Sequence, residues 1–133
     1  MSSSAEGPWA AAAERACGDL YGSRGTPERA TPPDGQMAAD ARWAADLQGQ
    51  AASRLGGIGG ADSYGALLIQ DMKYASALNQ DLGRLYGENA SASDRLEMDK
   101  AQLSQTQQQV AQISDILGTP SCAAVAEETA PAR

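Results

Sequence analysis

The sequence predicts an all-α protein, an extended helical bundle or hairpin with one long C-terminal helix that is coiled-coil-like and either continuous or kinked. Three observations predict it. Ala, Leu, Gln, Glu and Arg are common while Val, Ile, Thr and aromatic residues are scarce, with no Phe and 5% aromatics, a usage that favours helix over strand. Residues seven apart form a stripe, Leu68, Ala75, Leu82, Asn89, Leu96, Leu103, Val110 and Leu117, and such a repeat turns one helical face toward a partner. Gly and Pro clusters divide the rest of the chain into helix-sized segments.

The first segment, residues 1–7, is small and polar. Pro8 suits a first helical position, so a short helix is expected over residues 8–21, with Gly22 as its stop. Residues 22–35 carry three prolines and several glycines and read as a linker or extended wrap. Asp34 is a candidate cap for a second helix over 36–55, ended by Gly56 and Gly57. The run GGIGG at 56–60 is the most permissive point of the backbone. Asp62 or Ser63 then caps the third helix.

The third helix opens with a rich apolar cluster that includes Tyr64, Leu67, Leu68, Met72, Leu78 and Leu82. Its continuation is ambiguous at residues 87–93, where Gly87, Asn89 and small polar residues weaken it. Asp94 with Glu97 looks like a capping box and argues for a turn. The seven-residue register passes through without a slip and argues for one helix over 63–117, roughly 80 Å long at 1.5 Å per residue. The unbroken register favours continuity or a kink. Gly118 and Pro120 stop this helix, and residues 119–133 are expected to form a flexible tail. The chain is thus read as one small domain: a short helix and linker at 1–35, a helical core at 36–118 and the tail.

The stripe has two possible partners. The companion row three residues on, Asp71, Leu78, Leu85, Ala92, Asp99, Thr106 and Ile113, is only partly apolar, whereas a regular coiled coil wants both rows apolar. Packing within one chain and a seam between chains both remain open. If the seam joins chains, Leu68, Leu82, Leu96, Leu103, Val110 and Leu117 carry it. A core rich in Ala buries little area per residue, so it needs a partner or a covalent tie.

Charge and chemistry exclude more than they select. The net charge is −7, from 17 acidic and 10 basic residues, with no His. Without a basic stripe, nucleic acid and anionic membrane surfaces are repelled. No run approaches the roughly 18 apolar residues of a span, and no signal peptide is recognisable, although a processed exported chain is compatible with the sequence. With no His, the commonest general base and metal ligand is missing. Lys100 and Ser104, one turn apart, read as a solvated helix face, and GGIGG lacks the residues that complete a phosphate loop. No catalytic residue, cofactor or metal site is expected. Cys17 and Cys122 fit no zinc or redox spacing. Paired, they would close a loop of about 100 residues, worth roughly 4–5 kcal/mol on the chain-entropy model; free, they would be a buried small hydrophobe and a tail thiol. Trp9 and Trp43 either fill the small core or anchor a partner.

The function expected is that of a non-enzymatic structural or assembly component, such as a virion or secretion-machine part. It would bind protein partners or copies of itself by helix packing. Two rivals are a periplasmic or secreted minor-pilin-like subunit of a type IV secretion system, and an acidic helical binding module or inhibitor.

Overall fold

Five helices organise the described residues: α1 (Gly7–Gly22), α2 (Pro33–Gly56), α3 (Ser63–Gly87), α4 (Asp94–Leu117) and α5 (Pro120–Glu127). They are seen in a computed structural model that describes residues 7–29, 33–88 and 94–128. No strand occurs among these residues.

The single long helix expected over 63–117 does not form. α3 ends at Gly87, where the Glu88 N–H closes onto the Arg84 and Leu85 carbonyls. α4 then runs back along α3, with Gln102 opposite Tyr74 and Arg95 opposite Asp81. The seven-residue register could not reveal the reversal, because an antiparallel hairpin keeps the same apolar spacing on both arms. Gly87 and the acidic first turn of α4, Asp94 and Glu97, carry the signal that mattered. Asn89 and Ala92 lie outside the described residues.

The stripe is consumed inside the chain. Leu68, Leu82, Leu96, Leu103 and Val110 are each at most 4% exposed, and Leu117 packs half-buried against the core. Their apolar surface is covered by the chain's own helices. The unpromising second row is buried too: Asp71, Leu78, Leu85, Asp99, Thr106 and Ile113 all face inward. Two of its polar members, Thr106 and Asp71, bond locally. Thr106 Oγ1 donates to the Gln102 carbonyl at 2.8 Å. With its amide turned to donate, Gln109 Nε2 reaches the two Asp71 oxygens at 2.6 and 2.9 Å.

α3 is the central helix, with α2 antiparallel on one flank and α4 on the other. The α2–α3 contact explains the abundance of alanine. Ala38, Ala41, Ala45 and Ala52 of α2 are buried, as are Ala75 and Ser76 of α3. Ser76 Oγ donates to the Ala45 carbonyl at 2.7 Å. A Cβ placed on Gly83 would sit 2.9 Å from Arg42 Cγ and 3.4 Å from the Ala38 carbonyl. Small side chains let the two backbones come close enough for dense packing, so the core compensates in proximity for what it lacks in side-chain size.

α1 and α5 lie side by side and parallel, covering one end of the α2–α3–α4 layer. There Trp9, Ala13, Cys17 and Leu20 meet Leu47, Leu55, Leu68, Met72, Val110 and Val125. Trp9 is 2% exposed and its indole N–H donates to the Ile58 carbonyl at 3.3 Å, which ties the GGIGG turn to the core. Trp43 packs half-buried on the same core and donates to the Arg24 carbonyl at 3.2 Å. Trp9 is therefore a core residue, whereas Trp43 lies at the core's edge.

Two boundaries differ from expectation. α2 begins at Pro33, ahead of Asp34, because proline at a first helical position gives up an N–H that would be unpaired anyway. The side chain of Asp34 is outside those described. The flexible tail expected from residue 119 is instead a folded helix as far as Glu127, with Cys122, Val125 and Ala126 buried. Gly118, at φ 76°, stops α4 as expected. Pro120 does not end the structure; it opens α5 as a first-turn proline.

Candidate functional site

Two features stand apart from ordinary helix packing: the fastening of α5, and the outer face of the α3–α4 hairpin.

α5 has eight residues, too few to persist alone. It is held at both ends and in the middle. At its start, Thr119 makes no side-chain cap, and Glu14 of α1 supplies one: its carboxylate accepts from the Ser121 N–H at 2.9 Å and from the Ser121 hydroxyl. In the middle, Cys122 is bonded to Cys17, with Cα atoms 5.0 Å apart and both side chains fully buried. At its end, Gln48 Nε2 lies 3.2 Å from the Val125 and Ala126 carbonyls and 2.6 Å from that of Glu128. Gln107 adds a bond to the Ala126 carbonyl at 3.0 Å. Gln48 Oε1 in turn accepts from Asn79 Nδ2 at 2.9 Å. Outside, Arg24 stacks 3.8 Å over the Tyr21 ring and pairs with Glu128 at 3.3 Å.

Gln48 and Asn79 are fully buried, so their bonds are made where water cannot replace them. Gln48→Leu keeps the bulk and removes the bonds. It strands Asn79 and the Glu128 carbonyl and takes one of two donors from the Val125 and Ala126 carbonyls, and thermal unfolding is expected to show a loss of about 1–3 kcal/mol. A loss within error of zero would mean that water takes over those carbonyls. The sequence contained a clue to Gln48, since it falls in the row Ala41, Ala45, Gln48, Ala52, Leu55 of α2. Glu14 gave none, because its partner is 107 residues away.

The α3–α4 face has a different character. Tyr64, Leu67, Tyr74, Met98 and Ile116 are exposed, leaving Met37 as the one other large apolar side chain exposed among the described residues. Tyr64, Leu67, Asp71 and Tyr74 form one helical row on α3, and Met98, Gln102, Gln105, Gln109, Gln112 and Ile116 form one on α4. Between the rows lies an open groove of about 520 Å³ lined by Asp71, Tyr74, Gln105, Thr106, Gln108, Gln109 and Gln112. The Tyr74 hydroxyl donates across it to Gln102 Oε1 at 3.1 Å. No charged residue occurs from Ala101 to Ser114, in a chain with 17 acidic and 10 basic residues. On α3 only Asp71 and Lys73 are charged between Ser63 and Gln80, and Asp71 is turned inward onto Gln109.

Of the residues expected at an interaction seam, none lies on this face. Sequence reasoning read the register of the stripe and so found the buried side of the hairpin; the neutral outer side is marked by lack of charge, which a search for hydrophobic periodicity does not report. Lys100, weighed with Ser104, pairs with Glu97 at 3.6 Å. Among the described residues, no group of three or more His, Cys, Asp or Glu is placed to hold a metal ion. No helix among them is long and apolar enough to cross a membrane. The chain matches no protein-family model, no curated protein and no solved structure.

Proposed function

We propose that the chain is a non-enzymatic helical module, closed by a disulfide, that joins a larger assembly by docking another protein on the outer α3–α4 face. The observation that carries this reading is the neutral belt from Ala101 to Ser114, flanked by the exposed Tyr64, Leu67, Tyr74 and Ile116. Depletion of charge around exposed aromatic and aliphatic side chains is the compositional mark of an interface centre, whereas a merely solvated helix carries mixed charges. Groove-lining glutamines offer both donors and acceptors without the desolvation cost of a charge. The buried disulfide supports an oxidising compartment, and hence an exported part. Between the virion and the secretion-machine readings, that favours the second, although no motif assigns the chain to a particular machine.

The test is site-specific photo-crosslinking in the producing cells, with a benzophenone amino acid at Tyr74, at Ile116 and, as control, at Gln50 on the exposed side of α2. Discrete adducts at the first two positions and none at Gln50 support the reading. Adducts at all three alike, or at none, overturn it. An adduct of twice the chain mass would identify the partner as a second copy.

A further inference from the structure

At the opposite end of the hairpin from Ile116, two carboxyl groups meet across the α3–α4 contact. Asp81 of α3 is committed to its charge: its Oδ1 accepts from Arg84 Nη2 at 2.8 Å and its Oδ2 from Arg95 Nε at 2.9 Å. Arg84 also holds Glu88 at 3.2 Å. Asp99 of α4 follows Arg95 by one turn, on the buried side of α4 that packs on α3, which brings it beside Asp81. It is buried, at 8% exposed, and its Oδ2 has no donor. The groups acting on it are Asp81 and Arg84 from α3 and Arg95 from its own helix. Two carboxylates in contact, one of them buried, cannot both ionise cheaply. A single proton resolves the conflict, since it neutralises Asp99 and turns it into the donor that its surroundings lack.

We propose that Asp81 and Asp99 form a proton-sharing clasp, which fastens α3 to α4 in mildly acidic medium and slackens at neutral pH. The proton resides on Asp99, whose O–H donates to the Asp81 carboxylate. Loss of that proton leaves a buried negative charge beside another, partly offset by Arg84 and Arg95. The clasp follows from the fold alone and is independent of what docks on the outer face.

The direction of the pH effect follows from the two ionisations. Burial, then contact with Asp81, pushes the Asp99 carboxyl up to about 6, against 3.8 in an unfolded chain. Below 3.8 both states carry the proton and the clasp contributes in full. Between 3.8 and 6 only the folded state keeps it, so stability falls as pH rises, and above 6 the loss is complete. Asp81 acts oppositely: Asp99, Arg95 and Arg84 hold it well below the usual carboxylate range, so its contribution is present above 3.8 and is lost in stronger acid. Asp71 is raised by its own burial and adds to the fall with rising pH.

The test is carboxyl-carbon NMR titration of the intact chain, with unfolding followed from pH 4 to pH 6.5 in the parent, Asp99→Asn, Asp71→Asn and Arg95→Gln. Asp99 is expected to titrate near 6, and the unfolding constant of the parent to rise by up to about a hundredfold over that range. Asp99→Asn supplies a permanent donor and should remove most of this rise, while Asp71→Asn should leave most of it. Arg95→Gln should move the Asp99 midpoint upward, a reading that survives even if Asp99→Asn fails to fold. An Asp99 carboxyl that titrates with the ordinary aspartates, or an undiminished rise in Asp99→Asn, overturns the proposal.

Discussion

Replacing both cysteines by serine is expected to lower the stability of the chain by roughly 4–5 kcal/mol, because the bond between Cys17 and Cys122 closes a loop across a separation of 105 residues. For a chain of this size that corresponds to a fall of about 10–20 °C in Tm. The loss should start locally. α5 is short, and without the bond it depends on Glu14 at one end and Gln48 and Gln107 at the other. Hydrogen exchange should therefore show the amides of α5 opening well below the global free energy, while those of α2 and α3 remain protected. Both sulfurs are fully buried, so a reductant reaches the native bond only after such an opening, and reduction in the absence of denaturant should be slow. Fast native-state reduction with no change in Tm would mean that the bond does not hold α5, and that the polar anchors suffice.

That dependence bears on how much the sequence could disclose. Helix class was legible from residue usage, and so were the glycine stops at Gly22, Gly56 and Gly118, because these are local properties of the backbone. The core rows of α4 were legible as well, though Asp99 and Thr106 disguised the second row. A polar residue on an apolar face counts against burial when read along one chain, yet here Gln102 and Asp81 sit where those groups can bond. What stayed hidden depends on distance along the chain. The reversal between α3 and α4 leaves heptad spacing intact, and α5 is held by Glu14 and Gln48, residues 107 and at least 77 positions away. A short segment such as residues 120–127 has no helical tendency strong enough to announce itself, and only tertiary partners make it a helix. The candidate face was missed for a related reason: it is the side of α4 that the apolar register leaves out.

Placing the apolar stripe inside the chain changes what a charge introduced there should do. Read as a seam between chains, it predicts that Leu103→Asp would harm assembly more than Leu20→Asp. In the folded chain Leu103 is 4% exposed and Leu20 is 3% exposed, each in its own cluster of the core. Each substitution removes a buried Leu, which costs about 2–5 kcal/mol for truncation alone, and adds a carboxylate that must either be desolvated or break the packing to reach water. Both variants are therefore expected to lose most or all of their folded population as single chains, at any protein concentration. The contrast moves to Leu67→Asp. Leu67 is 39% exposed on the outer face, so a carboxylate there stays hydrated and should change stability by under about 1 kcal/mol. Circular dichroism melts together with sedimentation equilibrium of the three variants separate the cases. If Leu103→Asp melts with the parent and only its oligomeric state changes, the stripe is a seam between chains and the hairpin described here is wrong. If Leu103→Asp and Leu20→Asp unfold while Leu67→Asp keeps its fold and loses the partner adduct at Tyr74, the buried and outer sides of the hairpin have the separate roles assigned to them.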